Sequence, residues 1–405
     1  MIKNISSLAV TKSLRSYSWY IIFTRAYFWT RLFVLYFSSI VSLKQVFQLE
    51  AIYYASVFIL EVPSGYFSDF FGRKKTLVIS TASLTISYLL FFIGGSFNVF
   101  MIAQFFLAIG FSFASGTDTS LHYALLKSIG KESEYGEREA RLSSRGLLSI
   151  GLAAIIGGLF AFLSEYRVAY ALSMIFAFFS FCFVLNMVDP DKIHPEHENP
   201  EKPFLQIKKI FVKLNDPTLR YLFVFTIILT ILSHIPYELY QIYINDMLES
   251  FETFRLSESG PLVLGFHTTL SMVIAAFFAK RSMKFQNIFG TKNALIILTL
   301  ILSACISIMM IRGSYIIVFL LLLRGMPSAV GSPIVRAGTT HKLSPSLRAS
   351  YYSVKSLIGR VSFSAVLLLF SLIPGNGFQG SVILGTGLGV LAIALLIIIP
   401  INKKK

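Results

Sequence analysis

Residues 61–75 read E-V-P-S-G-Y-F-S-D-F-F-G-R-K-K and decide the fold class of this chain. A long apolar run precedes them and a second one begins at Thr76, so a very short turn joins two apolar segments. Gly72 can adopt the positive φ that such a turn needs. The three cations that follow it belong on the cytoplasmic side of a bilayer. The stretch therefore predicts two membrane-spanning helices joined by a tight cytoplasmic turn.

The composition indicates a membrane protein throughout. Hydrophobic residues make up 55% of the 405 residues and charged residues 14%, compared with about 45–50% and about 25% in soluble domains. Cys182 and Cys305 both lie in apolar runs, so we interpret them as packing residues without disulfide or metal-site spacing. The first apolar run is too long for the core of a cleavable signal peptide. These features exclude a large soluble helical protein.

Apolar runs of about 20 residues, the length that crosses a bilayer, divide the chain into predicted spans. The first six cover 17–41, 46–69, 76–95, 99–122, 141–163 and 168–188, and the second six cover 219–243, 260–279, 293–312, 314–338, 349–373 and 380–401. We predict an all-α membrane protein of twelve helices in two six-helix bundles, residues 1–188 and 219–405. Residues 189–218 form a polar cytoplasmic linker, whose segment from Phe204 to Leu214 is basic and amphipathic.

The net charge of +16 follows the predicted topology. With a cytoplasmic N-terminus, nearly all Lys and Arg residues lie on the cytoplasmic side, which is the positive-inside rule and predicts that both termini are cytoplasmic. The surplus indicates contact with anionic lipids, and it requires no nucleic-acid partner. We expect a monomer in a bacterial cytoplasmic (inner) membrane.

The turn at Gly72 resembles the loop between the second and third helices of the major facilitator superfamily, written G-x-L-(A/S)-D-x-x-G-R-(K/R)-x. The matching residues are Gly65, Asp69, Gly72, Arg73 and Lys74. With twelve spans in two sets of six, the resemblance covers nearly the whole chain. It implies a secondary transporter that moves a small molecule by alternating access, without a cofactor. The sequence contains no Walker loop, so we do not expect ATP to drive transport directly. It contains no nucleophile elbow or metal-hydrolase helix, so we do not expect an enzyme.

In this family pattern the loop acid lies against the N-terminal end of the eleventh helix, whose partial positive charge favours a carboxylate. The resemblance thus implies that Asp69 gates the cytoplasmic side, together with the matching residues of its loop. The eleventh span begins near Arg348, which is a further expected partner of Asp69. The alternative interpretation is that Asp69 only satisfies the backbone of its own turn.

The two predicted halves are similar to each other. At an offset of 218 residues, Phe71, Gly72 and Lys74 recur as Phe289, Gly290 and Lys292, whereas Gly65 becomes Met283 and Asp69 becomes Asn287. Internal repeats of this type build many transporter folds, with the substrate site near the bilayer midplane where the halves meet.

Acids inside predicted spans are candidates for proton coupling, because ionisable residues within a membrane are usually functional. Glu61 lies eight residues before Asp69, about 12 Å deeper in the second span. Burial without a cation would make Glu61 a proton carrier, whereas pairing with Arg25 of the first span would make it half of a structural ion pair. Both interpretations stay open. Asp118 is a further candidate, although a pairing with an arginine of the fifth span is favoured.

The seventh span carries candidates of two kinds, and its counterpart lines the cavity in the family it resembles. His234 and Glu238 are four residues apart on one helix face, so they could relay a proton. Tyr237 and Gln241 offer hydrogen bonds to a substrate, and His267 of the eighth span is expected opposite them.

Three deep cations, Arg25, Arg31 and Arg324, are candidates for binding an anionic substrate, because an arginine in hydrocarbon needs a partner or water. A structural pairing of Arg324 with Glu238 is the alternative. Gln104 of the fourth span is a substrate candidate at a position where many proton-coupled relatives carry arginine, so their coupling mechanism does not transfer directly.

Three functions follow as hypotheses. The first is proton-driven efflux of an amphipathic compound by antiport, based on aromatic-rich spans and on the glycines 151, 157 and 158 of the fifth span. The second is proton symport that imports an organic anion, such as a carboxylate nutrient or a metallophore. The third is a membrane sensor or assembly factor that transports nothing, which would have no reason to keep Asp69 acidic.

Overall fold

The computed structural model describes residues 7–30, 32–189, 203–249, 256–311, 314–371 and 378–401, and these are almost entirely helical. The helices are α1 Ser7–Thr24, α2 Phe33–Ser38, α3 Leu43–Phe71, α4 Arg73–Ile93, α5 Phe97–Ala114, α6 Thr117–Lys127, α7 Tyr135–Phe162, α8 Tyr166–Leu185, α9 Pro203–Lys213, α10 Pro217–Glu249, α11 Leu256–Ala279, α12 Ser282–Ser307, α13 Tyr315–Leu320, α14 Met326–Thr340, α15 Arg348–Ser371 and α16 Phe378–Ile398.

Ten segments of the described residues are long and apolar enough to cross a membrane. They coincide with ten of the twelve predicted spans, and the predicted all-α membrane fold is confirmed. The eleventh prediction corresponds to α15, a continuous helix of 24 residues. The linker segment predicted to be amphipathic corresponds to α9.

The first predicted span is not one continuous helix. α1 ends at Thr24 and α2 begins at Phe33, and the described residues between them, 25–30 and 32, are not helical. The carbonyl oxygen of Phe28 lies so close to Gly157 of α7 that a Cβ there would be 1.9 Å away. Phe28 is 4% exposed, and its ring contacts Phe176 at 5.0 Å. Irregular backbone is tolerated at membrane depth where protein buries it, and a glycine of α7 makes room for it here.

The chain forms two compact units. The first comprises Met1–Tyr135, Leu152–Val212 and Thr340–Leu357. Its core is rich in aromatic rings, and Phe37 packs on Phe100 with centroids 4.7 Å apart. Hydroxyl groups join its helices, because Ser80 donates to the Gly110 carbonyl at 2.7 Å and Ser87 to the Ala103 carbonyl at 2.9 Å. Such bonds between helices replace the hydrophobic drive that lipid does not supply.

The second unit comprises Gly136–Gly151, Lys213–Thr339 and Ile358–Lys405. Its core is mainly aliphatic, with Leu295, Leu298 and Leu302 of α12 fully buried. α12 contains one non-helical residue, Gly290, with φ 71° and ψ 160°. The boundary between the units divides α7 between Gly151 and Leu152, and α15 between Leu357 and Ile358.

Candidate functional site

Asp69, near the C-terminal end of α3, caps the N-terminus of α15. Its Oδ1 accepts a hydrogen bond from the Ala349 backbone N–H at 3.2 Å, and its Oδ2 accepts one from the Ser350 N–H at 2.9 Å. The Ser350 hydroxyl also donates to Oδ2 at 2.8 Å. The first N–H groups of a helix have no partner within it, and their partial positive charge favours a carboxylate. We call Asp69, Ala349 and Ser350 the α15 cap.

Two glycines, Gly65 and Gly116, allow α15 to approach Asp69 closely enough for these hydrogen bonds. A Cβ on Gly65 of α3 would lie 2.7 Å from Ser353 Oγ and 2.9 Å from Ser350 Cα. A Cβ on Gly116, between α5 and α6, would lie 2.5 Å from Tyr352 Cβ, and its φ of 72° also favours glycine. We call these two residues the glycine seat. Any larger residue at Gly65 would push α15 away from Asp69.

Two of the three cations of the turn, Arg73 and Lys74, bind backbone carbonyl groups. Gly72 has the expected positive φ, 102°. Arg73 is buried, and its Nη2 donates to the Pro345 carbonyl at 2.9 Å. Lys74 Nζ donates to the Leu185 carbonyl at 2.8 Å, at the C-terminal end of α8, where a cation interacts favourably with the helix dipole.

Arg348 holds the loop that precedes α15. Its Nε donates to the carbonyls of Thr340 at 3.3 Å and Leu343 at 3.2 Å. Its guanidinium carbon lies 4.2 Å from the centre of the Tyr123 ring, a cation–π contact. The side chain is therefore directed at this loop, and the described hydrogen bonds to Asp69 come from Ala349 and Ser350 instead.

Glu61 lies next to the glycine seat. Its side chain is 0% exposed, and its Oε1 accepts a hydrogen bond from the Ser115 hydroxyl at 2.6 Å. Glu61 precedes Gly65 by one helical turn, and Ser115 directly precedes Gly116. This hydrogen bond thus joins the two segments of chain that carry the seat.

Asp118 and Arg25 both lie near the Tyr20 hydroxyl in the first unit. Asp118 is 8% exposed, and its Oδ1 accepts hydrogen bonds from the Thr119 N–H at 2.6 Å and the Thr119 hydroxyl at 3.1 Å. Its carboxylate thus forms hydrogen bonds within the first turn of α6. The Tyr17 hydroxyl donates to the Asp118 carbonyl at 3.0 Å. The pairing of Asp118 with an arginine of the fifth span stays a prediction.

Gln104 is buried and engages an acid that the sequence analysis did not single out. Its Nε2 donates to Glu50 Oε1 at 3.0 Å. Glu50 lies in the same helix as Glu61, three turns nearer its N-terminus. The sequence offered a signal for Glu50, because it is an acid within an apolar run. Glu50 lies near the predicted start of the second span, however, where a carboxylate needs no special explanation.

In the second unit, His267 of α11 and Arg324 form a buried pair. Arg324 Nη1 lies 3.2 Å from His267 Nδ1 and donates to the Leu321 carbonyl at 3.1 Å. His267 Nε2 lies 3.1 Å from the Val318 carbonyl. A guanidinium only donates and a carbonyl only accepts, so both imidazole bonds require a neutral ring with its hydrogen on Nε2. A proton on Nδ1 would replace the bond to Arg324 with repulsion between two cations.

The remaining candidates are only partly described. His234 lies in α10 with Nδ1 2.7 Å from the Thr230 carbonyl, and its ring contacts Phe363 at 4.7 Å. The side chains of Tyr237, Glu238 and Gln241, and the whole of Arg31, lie outside the described residues, as does any contact they make. Within the described part of the chain, no three His, Cys, Asp or Glu residues are grouped to hold a metal ion.

Sequence reasoning missed several groups around the α15 cap. Gly116, Ser350 and Tyr123 carry no pattern of their own, because each matters through a contact with a residue more than 200 positions away. Gly116 alone offered a hint, as a glycine inside the fourth predicted span.

Comparison with known proteins supports the same fold. The family model of the Major Facilitator Superfamily matches residues 41–287. No curated protein matches the sequence. Among solved structures, the human organic anion transporter MFSD10 (TETRAN) is 15% identical, with a TM-score of 0.67, 96% of this chain and 99% of that chain covered.

Two further solved structures are similar over the same shares, 96% of this chain and 99% of theirs: the Escherichia coli fucose:proton symporter FucP, at 14% identity and TM-score 0.67, and the nucleoside transporter NupG, at 14% identity and TM-score 0.64. At this identity the structural likeness shows the fold alone. The family match spans more than half of the chain and includes the Gly72 turn. The chain is therefore an integral membrane protein that belongs to the Major Facilitator Superfamily of transporters.

Proposed function

We propose that this protein is a proton-coupled secondary transporter, that it exports a small amphipathic compound by antiport, and that Glu61 carries the proton. The observation that carries the proposal is the Glu61–Ser115 hydrogen bond beside the glycine seat. A carboxylate only accepts hydrogen bonds, whereas a protonated carboxyl group also donates one. Protonation therefore changes the contact between the two segments on which α15 rests.

The α15 cap is the proposed cytoplasmic gate. With the cap formed, the first turn of α15 is held against α3 by the charge-assisted bonds to Asp69. Alternating access requires this contact to break and re-form in each cycle. A proton at Glu61, one turn from Gly65, would bias that equilibrium through the seat. A proton gradient would thereby drive the cycle without ATP.

Efflux of an amphipathic compound is supported by the aromatic composition of the first unit. Rings near the broken first span include Tyr27, Trp29 and Tyr88, and Trp29 lies 6.4 Å from both tyrosine rings. Aromatic surfaces with polar tips suit a ligand that is part apolar and part polar. The charge distribution supports cytoplasmic termini, and we propose a monomer in a bacterial cytoplasmic membrane.

The test uses purified protein in liposomes that contain a pH-sensitive dye, under an imposed pH gradient. Lipophilic amines and dyes should evoke proton movement with the wild type, and Glu61→Gln should abolish it while the protein still folds. Glu134→Gln is the matched control, since this acid lies on the surface in a pair with Lys131. Proton movement that persists in Glu61→Gln would refute the assignment of the carrier.

A second candidate function is proton symport of an organic anion. It is favoured by the His267–Arg324 pair, because protonation of His267 would release the guanidinium for a carboxylate and thus couple one proton to one anion. Carboxylates and metal-loaded chelators in the same liposomes test this idea. A response to anions alone, lost in both Arg324→Gln and His267→Gln, would replace the efflux proposal.

A further inference from the structure

The linker helix α9 carries a buried side and an exposed side of unusual composition. Gln206 and Ile210, one turn apart, are 7% and 0% exposed. Leu205, Phe211 and Val212 are 43%, 50% and 58% exposed. Lys208 and Lys209 are also exposed, and the helix contains three lysines and no acid. Large apolar side chains beside lysines are typical of a helix that lies in the interface of an anionic bilayer, with its cations at the lipid phosphates.

The buried side of α9 contacts the α15 cap. The Gln206 side chain makes two hydrogen bonds to this region. Its Oε1 accepts from the Ser350 hydroxyl at 3.0 Å, and its Nε2 donates to the Ser346 carbonyl at 3.5 Å. The Ser350 hydroxyl has one hydrogen, which Asp69 Oδ2 also accepts at 2.8 Å, so Asp69 and Gln206 share it. Gln206 thus links α9 both to Ser350 of the cap and to the segment that precedes α15.

We propose that α9 binds the anionic cytoplasmic surface of the bilayer, and that lipid binding stabilises the α15 cap through Gln206. Basic residues beside a membrane are attracted to its negative surface potential. An α9 held at that surface keeps Gln206 against Ser346 and Ser350, whereas an α9 released from it loses both of these hydrogen bonds. Gln206 is a positioning residue in this scheme. The inference that lipid thereby controls transport rests on the proposed function, but the coupling between lipid and cap does not.

Hydrogen exchange of single amides in the full-length protein tests the coupling directly. The amides of Ala349 and Ser350 are informative because Asp69, not the helix, accepts their hydrogen bonds. We compare vesicles of phosphatidylcholine with vesicles in which part of it is replaced by phosphatidylglycerol. Anionic lipid should slow exchange in α9 and also at Ala349 and Ser350, in each case by about fivefold, the change that one hydrogen bond supports.

Two variants distinguish lipid binding by α9 from the effect of that binding on the α15 cap. Lys208→Gln with Lys209→Gln should remove the lipid response of α9 and of the cap together. Gln206→Leu should keep the response of α9 and remove that of Ala349 and Ser350. Equal exchange at the cap in both vesicles, or a cap response that survives Gln206→Leu, would overturn the proposal. The exchange measurement needs no substrate, so a failure of the transport proposal in the dye assay is seen separately.

Discussion

The two copies of the internal repeat lie at Gly72 in the first unit and at Gly290 in the second. They share a glycine turn that is followed by a lysine. Both glycines have positive φ, 102° and 71°. Lys74 Nζ donates to the Leu185 carbonyl at 2.8 Å, and Lys292 Nζ donates to the Ile397 carbonyl at 2.7 Å. In each copy a glycine turn thus places a lysine at the C-terminal end of the last helix of its half. The glycine turn and its lysine contact are thus present in both copies.

The groups that hold α15 are not repeated. Asp69 is 5% exposed and caps a helix, whereas its counterpart Asn287 is exposed. Gly65 faces Ser353, whereas its counterpart Met283 lies against Gly136, where a Cβ would be 2.7 Å from its Sδ. The second unit places its own buried acid elsewhere, since Glu139 pairs with Arg336. We therefore propose that the turn serves folding in both halves and gating in one.

The largest expected effect concerns this second acid. Glu139 is 2% exposed in its side chain, and Arg336 Nη1 donates to its Oε2 at 2.9 Å. Arg336→Gln should lower the free energy of unfolding by about 3 kcal/mol, because it leaves a buried carboxylate without this cation. Reversible unfolding in mixed micelles measures the change. An unchanged free energy would mean that other groups satisfy Glu139, and Glu139→Gln with Arg336→Gln should recover part of the loss.

The next largest effect tests the difference between Asp69 and its counterpart Asn287. Asp69→Asn removes the charge from the bonds to Ala349 and Ser350, and we expect a loss of about 2 kcal/mol in the stability of the cap, or roughly thirtyfold in its equilibrium. Transport in liposomes should fall accordingly. Asn287→Asp is the control, since an exposed side chain should change transport by less than about twofold. Full activity of Asp69→Asn would favour a protein that senses or assembles and does not transport.

A smaller effect tests the glycine seat. Gly65→Ala adds a Cβ that lies within 3 Å of Ser350 and Ser353, so it should cost about 1 kcal/mol of cap stability by overpacking. Gly387→Ala is the matched control, because a Cβ there has open space. Exchange of the Ala349 and Ser350 amides should accelerate in the first variant only. If both variants exchange as the wild type does, α15 does not rest on Gly65.

The sequence predicted this site unevenly, for physical reasons. The resemblance of its loop to the family motif implies that Asp69 lies at the N-terminus of the eleventh helix, and the structure has it there. Arg348 was placed at the right end of that helix, but its partners were not predictable, since carbonyl groups and the Tyr123 ring leave no spacing in the sequence. The break in the first span was missed because apolar periodicity does not record a glycine on another helix, and here Gly157 admits the backbone of Phe28.

The smallest effect concerns the lysine that the two copies have in common. Lys74→Gln and Lys292→Gln each remove a cation from the C-terminal end of a helix, α8 or α16, and each should cost about 0.3–1 kcal/mol of stability. The two losses should be equal within error, because both amines bind the last carbonyls of their helix. Lys74 belongs to the same turn as Asp69, so a larger effect of Lys74→Gln on transport than on unfolding would show that the first turn also contributes to gating. Equal effects in both assays would confine the lysines to folding.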